Sequence, residues 1–363
     1  MQLYLIGGFL GSGKSTAIKQ AADILSDRGL RVGVVTNDQG AQLVDSNYFK
    51  SFNLPTREVV DGCFCCNYDD LDESINSLLQ KNQPDVIFAE SVGSCTDIVS
   101  TVVNPFKKFY PSQKVQVSVF ADARILPVLI KDESYFFEDE IHYIYEKQLE
   151  EADLLVVNKI DLLEGEDIEN VQSIVQQRYP QKQVVFQNSL SREDVEAWLD
   201  LLEEDYASDR PEGERKALDI DYDTYGKGEA LLGWLDAELV VETDGESALD
   251  STFQLINMLY GNISHKELPI GHLKFFLDGE DYKRKISFTA SDQEKFDYEE
   301  EDYKTGRMNL LINARVQAEP EELRNILDEA VEKVEESDGC EVHMHNIACF
   351  RPDYPTPTHR MTS

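Results

Sequence analysis

The sequence predicts an α/β protein, in which a mostly parallel sheet carries helices on both faces and is followed by a smaller α+β domain. Over residues 1–205, short apolar runs rich in β-branched residues alternate with segments of helical period, which is typical of a parallel sheet wrapped by helices. Residues 203–225 then lose the apolar period and become rich in Asp and Glu, which is typical of a linker. Beyond them, the order strand, helix, three strands, helix, strand (βαβββαβ) indicates an antiparallel sheet with two helices on one face.

The individual elements follow from the hydrophobic period and from the turn residues that bound each run. In the first part of the chain, strands are predicted at residues 2–6, 31–36, 85–89, 115–121, 154–158 and 183–186, and helices at residues 15–27, 71–81, 96–102, 135–151, 168–178 and 192–203. After the linker, strands are predicted at residues 237–242, 273–277, 285–289, 310–316 and 342–350, and helices at residues 248–260 and 320–335. The predicted domains are therefore residues 1–205, an acidic linker at 206–228, residues 229–350 and a tail at 351–363.

The charge of the chain argues against one class of partner. Its 363 residues carry 34 Lys and Arg against 70 Asp and Glu, a formal net charge of −36, which would repel the phosphate backbone of a nucleic acid from most of the surface. No apolar run approaches the roughly 18 residues of a membrane-spanning helix, and the N-terminus lacks the basic segment of a signal peptide. We therefore expect a cytoplasmic protein that binds neither nucleic acid nor membrane.

A phosphate-binding loop follows the first predicted strand. Residues 8–15 match the pattern G-x-x-x-x-G-K-[ST] and lie between a strand and a helix, where backbone N–H groups can point at phosphates. In such a loop the lysine reaches the β- and γ-phosphates and the hydroxyl that follows it ligates Mg²⁺. The predicted nucleotide-binding residues are Gly8, Gly11, Ser12, Gly13, Lys14, Ser15 and Thr16, with Ser15 also a Mg²⁺ ligand.

The base is predicted from residues 158–161, which read Asn-Lys-Ile-Asp at the end of a strand. Asp161 can accept hydrogen bonds from N1–H and N2–H₂ of guanine, whereas adenine has an acceptor at N1 and would leave this carboxylate unpaired. Asn158 and Lys159 would brace the loop and flank the base. GTP is therefore the predicted nucleotide.

Three carboxylates are candidates for the chemistry at the γ-phosphate. Glu90 ends the strand at residues 85–89 and would organise Mg²⁺ or the attacking water. Asp38 follows the strand at residues 31–36, in a segment that would sense the γ-phosphate, and Asp45 lies a few residues further along. We therefore predict Lys14, Glu90 and Asp38 as catalytic residues and Asp45 as a second Mg²⁺ ligand.

A cluster of thiols lies in a polar turn. Cys63, Cys65 and Cys66 fall within four residues, and three thiolates that close can share one ion such as zinc, copper(I), cobalt or nickel. A redox pair and inert small residues in a packed turn are the alternatives. Cys95, which stands alone just after the strand that ends at Glu90, is predicted to be a core residue.

A second candidate metal site lies on the last predicted strand. Strict alternation places Glu341, His343, His345 and Cys349 on one face, and two imidazoles two residues apart can converge on a transition metal. The possible ligands of this second site are His343, His345 and Cys349. The alternative is a row of polar strand residues that face water.

Taken together, these motifs resemble the CobW-type GTPases, which are relatives of the UreG and HypB metal-insertion proteins. The resembling segments are GGFLGSGKST at residues 7–16, GCFCC at 62–66, ESVG at 90–93 and QLEEADLLVVNKIDL at 148–162, and the βαβββαβ part is similar to their C-terminal domain. The resemblance implies a P-loop GTPase fold and GTP hydrolysis coupled to the loading of a divalent metal, such as zinc, cobalt or iron. The recipient would be a client metalloprotein or a protein of a corrinoid pathway, with the three cysteines as carriers.

The sequence also departs from that family. Where many members have two glutamates after the second strand, this chain has Asp38 and Ala41, and the region before the second domain is acidic rather than rich in histidine. The leading hypothesis is a GTP-hydrolysing metallochaperone with GTP, Mg²⁺ and Zn²⁺ or Co²⁺ as ligands. The alternative is a GTP-dependent regulatory or docking switch with structural cysteines. A P-loop kinase is disfavoured, because residues 158–161 select guanine and no basic substrate cluster is evident. Whether GTP closes a homodimer stays open.

Overall fold

The computed structural model describes residues 1–40, 44–130, 137–207, 215, 217–289 and 302–362. The chain divides into two compact units. Unit 1 comprises residues 1–39, 52–228 and 354–363, and unit 2 comprises residues 40–51 and 229–353. The chain thus enters unit 2 briefly after its second strand and then returns to unit 1.

The elements of residues 1–231 alternate between strand and helix. In chain order they are β1 (Gln2–Gly8), α1 (Lys14–Asp27), β2 (Val32–Asn37), α2 (Val44–Ser51), β3 (Thr56–Val59), α3 (Tyr68–Lys81), β4 (Val86–Glu90), a π-helical turn (Val99–Val103), α4 (Asn104–Phe109), β5 (Val115–Asp122), α5 (Leu126–Ile130), α6 (Asp139–Glu151), β6 (Leu154–Asn158), a 3₁₀ turn (Ile160–Leu162), α7 (Gly165–Arg178), β7 (Gln183–Gln187), α8 (Arg192–Ala207) and α9 (Tyr222–Leu231).

The strands of unit 1 form one parallel sheet in the order β3-β2-β4-β1-β5-β6-β7, as the sequence predicted. Every residue of β4, β5 and β6 is buried, because helices cover both faces of a parallel sheet and its strands are continuous apolar runs. The carboxyl ends of the strands meet at one edge, where ligands bind in open α/β sheets. Asn37, Glu90 and Asn158 end their strands at this edge.

Four short elements were not predicted from the sequence: α4 and α5, of six and five residues, and β3 and α2. β3 has four residues, Thr-Arg-Glu-Val, and lies at the edge of the sheet, so it carries too few apolar residues to show a period. α2 has eight residues and buries three of them. All four elements are too short for hydrophobic period to distinguish them from loops.

The stretch predicted as an acidic linker, residues 206–228, contains most of α9. Tyr225 of this helix is buried against Ile144 of α6 and Ile220, so a few apolar anchors order a segment whose composition is acidic. Residues 208–214 and 216 lie outside the described residues. The linker prediction missed the helix because these anchors are too widely spaced to give a helical period.

Unit 2 contains the predicted βαβββαβ series. Its elements are β8 (Gly233–Glu242), α10 (Ala248–His265), β9 (Ile270–Asp278), β10 (Lys283–Phe288), β11 (Arg307–Val316), α11 (Pro320–Asp338) and β12 (Glu341–Phe350). The strands form an antiparallel sheet in the order β10-β9-β11-β8-β12, and the buried apolar residues of the sheet and both helices form one core. Among the described residues, no helix has the length and apolar character to cross a membrane.

Candidate functional site

The phosphate loop joins β1 to α1 at the carboxyl edge of the parallel sheet. Gly8 has φ of 122°, and a Cβ atom there would lie 2.1 Å from the Phe120 carbonyl oxygen, so glycine is required where the loop leaves the sheet. The Lys14 ammonium donates to the carbonyl oxygens of Gly8 at 2.7 Å and Phe9 at 3.1 Å. The loop therefore holds its lysine over its own backbone, at the N-terminus of α1.

The side chains of Ser15 and Glu90 meet beside this loop. The Ser15 hydroxyl donates to Glu90 Oε1 at 2.9 Å, and both residues are buried. A hydroxyl and a carboxylate are oxygen donors of the kind that Mg²⁺ prefers. The donor set therefore fits Mg²⁺, and the structure brings together two residues that are 75 positions apart in the chain.

The segment at residues 158–161 braces the phosphate loop. The Asn158 amide donates to the Ser12 carbonyl oxygen at 2.8 Å, and its Oδ1 accepts hydrogen bonds from the Ser189 N–H and hydroxyl. The Lys159 ammonium pairs with Asp122 at 2.8 Å, and Asp161 is exposed in the 3₁₀ turn that follows. Asn158 is thus hydrogen-bonded to the phosphate loop, and the Asp161 carboxylate is exposed.

The three thiols lie in one turn, residues 62–66, which we call the thiol loop. The sulfur atoms of Cys63, Cys65 and Cys66 lie within 4.8 Å of one another, with Cys63 to Cys66 at 3.4 Å and Cys65 to Cys66 at 3.6 Å. All three are free cysteines; Cys63 and Cys65 are buried and Cys66 is half-buried. Among the described residues, they form the one cluster of this kind that could hold a metal.

The surroundings of Cys65 and Cys66 raise the pKa of each thiol. Hydrogen bonds from the neighbouring thiols, together with burial, raise the pKa of Cys65 well above its ordinary value, and the hydrogen bond with Cys63 is the main cause that raises the pKa of Cys66 to about 11. Since a metal binds the thiolate, an ion that enters the loop must displace these protons.

Asn37 connects the thiol loop to the nucleotide edge. Its side-chain amide donates to the Gly62 carbonyl oxygen at 2.7 Å, and its Oδ1 accepts from the Phe64 N–H at 2.8 Å and from the Val92 N–H at 3.4 Å. Val92 belongs to residues 91–97, which follow Glu90 and which we call the β4 loop. These contacts of Asn37 were not predicted, because a single asparagine at a strand end carries no signal for them.

The two aspartates that follow Asn37 have different surroundings. Asp38 donates its backbone N–H to the Val59 carbonyl oxygen at 3.0 Å and accepts the Gln39 N–H at 3.0 Å. Asp45, on α2 in unit 2, pairs with Lys274 at 2.6 Å and with Lys285 at 2.5 Å. The two ammonium groups bind both oxygens of the Asp45 carboxylate. Asp45 was predicted as a Mg²⁺ ligand, and in the structure its partners are these two lysines instead.

This pair of lysines keeps Asp45 charged. Burial by itself would raise the pKa of the Asp45 carboxyl, but Lys274 and Lys285 hold it well below its usual range. Both lysines come from unit 2, on β9 and β10. The carboxylate therefore fixes α2 to the antiparallel sheet.

Residues 354–362 run along the thiol loop. The Thr356 N–H donates to Cys66 Sγ at 3.3 Å, and the Thr358 N–H and hydroxyl donate to the carbonyl oxygens of Cys65 and Cys66 at 2.9 and 2.6 Å. The Arg360 guanidinium, further along, pairs with the buried Asp97 at 2.7 Å. Residues 351–363 were predicted only as a tail, because nothing local indicates contact with residues nearly three hundred positions away.

The predicted second metal site does not form. His343 and His345 are exposed and lie opposite Val240 and Glu238 of β8, but a β-bulge between His345 and Ala348 places Cys349 opposite Leu235, on the face of the core. A bulge adds one residue to a strand and thereby reverses the alternation beyond it. The assumption of strict alternation was therefore wrong for Cys349.

The fold and the phosphate loop define a P-loop nucleotide-binding protein. Residues 2–186, just over half of the chain, match the family model described as CobW/HypB/UreG, nucleotide-binding domain. The chain belongs to this family, as its motifs predicted.

Several relatives carry names that refer to metals. The chain is 31% identical over 203 residues to the zinc chaperone CobW of Sinorhizobium sp, covering 49% of this chain and 56% of the relative. It is 26% identical over 184 residues to the zinc chaperone YeiR of Escherichia coli (strain K12), covering 50% and 53%. It is 30% identical over 168 residues to the urease accessory protein UreG of Metallosphaera sedula, covering 43% and 70%. The match thus spans about half the length of the two zinc chaperones. Among solved structures, HypB from Helicobacter pylori in complex with nickel is similar at 16% identity with a TM-score of 0.42, over 58% of this chain and 91% of that one.

Proposed function

We propose that this protein is a GTP-hydrolysing metallochaperone, which binds a divalent transition metal in the thiol loop and delivers it to a client metalloprotein or cofactor pathway. The observation that carries the proposal is the position of Asn37. Its side chain bonds to the backbone of the thiol loop and also to the β4 loop, which follows Glu90. One side chain at the nucleotide edge therefore touches both the segment that would hold the metal and the segment that adjoins Mg²⁺.

The chemistry of the thiol loop supports a soft divalent ion. Three thiolates suit zinc and cobalt and do not suit Mg²⁺ or Ca²⁺, which take oxygen ligands. Cys66 is half-buried while Cys63 and Cys65 are buried, so one thiol is reachable from solvent. We propose zinc as the ion, in agreement with the names of the relatives, and loading or release through the side of Cys66.

The chemistry of the phosphate loop supports hydrolysis of GTP. Asp161 would select guanine, and Lys14 would neutralise the charge that builds up on the γ-phosphate as water attacks the phosphorus and GDP leaves. Ser15 would hold Mg²⁺, and Glu90 and Asp38 would orient that ion or the attacking water. Mg²⁺, when bound, stabilises charge on the phosphate oxygens.

The coupling between the two ligands follows from their shared contacts. If the γ-phosphate orders residues 37–39 and the β4 loop, Asn37 transmits that order to the backbone that carries the thiols. Metal and GTP must then raise each other's affinity by the same factor, since linkage is reciprocal. Hydrolysis removes the γ-phosphate and favours release of the metal.

The test is a titration of zinc against a competing chelator, with Mg²⁺ plus a non-hydrolysable GTP analogue and again with GDP. We expect zinc to bind at least about tenfold more tightly with the GTP analogue, a coupling of about 1.4 kcal/mol. Asn37→Ala should bring this ratio close to one, and Asn309→Ala, an exposed asparagine of unit 2, should leave it unchanged. Equal affinities in the two nucleotide states would overturn the coupling, and GTP turnover by Lys14→Ala would overturn the assignment of the catalytic lysine.

A second candidate function is a GTP-dependent docking switch in which the cysteines are structural. The burial of Cys63 and Cys65 and the hydrogen bonds from residues 356–358 favour it. It predicts a metal that resists chelators equally with GTP and GDP, so the same titration separates the two candidates.

A further inference from the structure

A fourth thiol lies against the thiol loop. Cys95 belongs to the β4 loop, is fully buried, and forms a side-chain hydrogen bond with Cys65. The two residues are thirty positions apart in the chain and come from different loops. Cys95 is thus part of a group of four sulfur atoms contributed by two segments.

The backbone that carries Cys95 is held in place on both sides. The Gln148 side chain of α6 donates to the carbonyl oxygens of Gly93 and Cys95, each at 2.9 Å. Gly93 lies so close to Leu10 of the phosphate loop that a Cβ atom would be 2.9 Å from its backbone nitrogen. The β4 loop is therefore fixed between the phosphate loop and α6, and it presents Cys95 from a defined position.

The separations in the cluster match those of a tetrahedral thiolate site. A zinc–sulfur bond of about 2.3 Å puts neighbouring sulfur atoms about 3.8 Å apart in a tetrahedron. Cys63 and Cys66 are separated by 3.4 Å, and Cys65 and Cys66 by 3.6 Å. Cys95 contacts Cys65 but lies outside the group of three that are mutually within 4.8 Å, so its side chain must turn toward the other sulfur atoms to complete a shell.

We propose that Cys95 is the fourth ligand of the metal, so that the site is a four-thiolate centre closed by the β4 loop. The inference rests on the proposed function, since it requires that the thiol loop binds metal. Each ligating thiol gives up its proton to solvent as its bond to the metal forms, and no oxidation takes place. Four thiolates and one zinc ion carry a net charge of −2; when Cys95 leaves the metal and takes up a proton from solvent, three thiolates and the ion carry −1, and one bond to the metal is lost.

The origin of this ligand gives it a function that the other three cannot have. Glu90, which ends β4 immediately before the β4 loop, accepts the hydrogen bond from Ser15 at the phosphate loop. A shift of the β4 loop on loss of the γ-phosphate would move Cys95 directly, whereas it would reach the other three ligands only through Asn37. The metal would then have three protein ligands and one open position for a ligand of the client.

The experiment uses cobalt(II) in the full-length, reduced protein with Mg²⁺ and a non-hydrolysable GTP analogue. Cys95→Ser should lower the thiolate-to-cobalt absorbance per bound ion by about a quarter, as expected when four thiolates become three, and should lower zinc affinity at least tenfold. The matched control is Cys340→Ser, another buried thiol, in the core of unit 2, which should change neither quantity. X-ray absorption of the zinc-loaded wild-type protein should give four sulfur neighbours, and this measurement does not depend on how well a variant folds.

The possible outcomes separate this inference from the proposed function. A wild-type protein that binds no cobalt or zinc through thiolate refutes the proposed function and the inference with it. Metal binding with three sulfur neighbours, or a Cys95→Ser spectrum and affinity equal to wild type, refutes the inference alone. Four sulfur neighbours together with a loss of absorbance in Cys95→Ser establish it.

Discussion

The thiol loop and β12 each carry several side chains of types that can bind a metal within a few residues, yet only the thiol loop brings them together. In the thiol loop the chain makes a tight turn, in which the N–H groups of Cys66 and Asn67 both donate to the Cys63 carbonyl oxygen. The turn directs three side chains to one side. On β12 the backbone is extended, and the bulge after His345 turns Cys349 toward the core.

The difference shows that ligand spacing has meaning only together with backbone conformation. A turn brings residues i and i+3 within bonding distance of one ion, whereas successive side chains on one face of a strand are separated by about 6.6 Å. Histidines on a strand therefore form a metal site only when a neighbouring strand supplies a further ligand or when regular pairing keeps all the ligands on one face. Four changes would break or sharpen the comparison, beginning with the largest expected effect.

Removing ligands should affect the two regions very differently. The double variant Cys63→Ser, Cys66→Ser should lower zinc affinity by more than about 100-fold, about 2.7 kcal/mol, because two of the three clustered thiolates are lost. The double variant His343→Ala, His345→Ala should change it less than about twofold, because these imidazoles are exposed and do not converge. Chelator competition measures both. A larger loss in the histidine variant would mean that β12 holds the metal.

A buried carboxyl near the β4 loop should make stability depend on pH. Burial raises the pKa of Glu151 from 4.5 to about 7, while it accepts the Val99 N–H at 2.9 Å. Between these two values the folded protein binds a proton that the unfolded chain does not, so the free energy of unfolding falls as pH rises from about 4.5 to about 7 and is level above that range.

Glu151→Gln should remove this pH dependence and stabilise the protein at pH 8 by roughly 1–3 kcal/mol. Urea unfolding at several pH values measures the effect, and Glu150→Gln, which replaces the partner of Lys147, is the control. A slope that persists in Glu151→Gln would assign it to another group.

Placing a thiol on the face of β12 that carries His345 should create part of a metal site. Ala348 is exposed and lies opposite Asp236 of β8, while His345 lies opposite Glu238 of the same strand. Because Asp236 and Glu238 are two residues apart on one face of β8, Ala348 and His345 lie on the same face of the sheet. Ala348→Cys should therefore bring a thiolate beside His345 and raise zinc affinity of this region about tenfold, or about 1.4 kcal/mol.

The measurement is made in the background of Cys63→Ser, Cys66→Ser, so that the thiol loop does not compete for zinc. Ala348→Ser is the control for substitution at the same position. No gain with cysteine would argue that the bulge does not determine the difference between the two regions.

The smallest effect is expected from the hydrogen bond that residues 354–362 supply to the thiol loop. Thr356→Pro removes the N–H that donates to Cys66 Sγ, in a segment where Pro355 and Pro357 already restrict the backbone. Since the donor stabilises a thiolate, its loss should weaken zinc binding by roughly 0.5–1.5 kcal/mol. Thr356→Ser keeps the N–H and should bind as the wild type does, and tighter binding by Thr356→Pro would show that this segment opposes metal entry.

Much of the fold could be predicted from the chain alone, and the exceptions have several causes. The long strands and helices of both units show clear periods, whereas β3, α2, α4 and α5 are too short for a period to appear and the apolar residues of α9 are too widely spaced. The bulge in β12 was missed because no glycine or proline marks it: residues 346–348 read Asn-Ile-Ala. Asp45 was assigned to Mg²⁺ because its carboxylate follows a nucleotide segment, and the sequence could not reveal that Lys274 and Lys285 face it.

The sequence by itself determined the features that depend on local backbone geometry and on the rule that the carboxyl ends of parallel strands lie at one edge of a sheet. The phosphate loop, the position of Glu90 at the edge of the sheet that carries it and the clustering of the three thiols follow from these two facts. Only the tertiary structure decided which distant groups complete them. Cys95 beside Cys65 and Thr356 beside Cys66, 290 positions apart in the latter case, are brought together by packing, and no local pattern of residues encodes a contact of that kind.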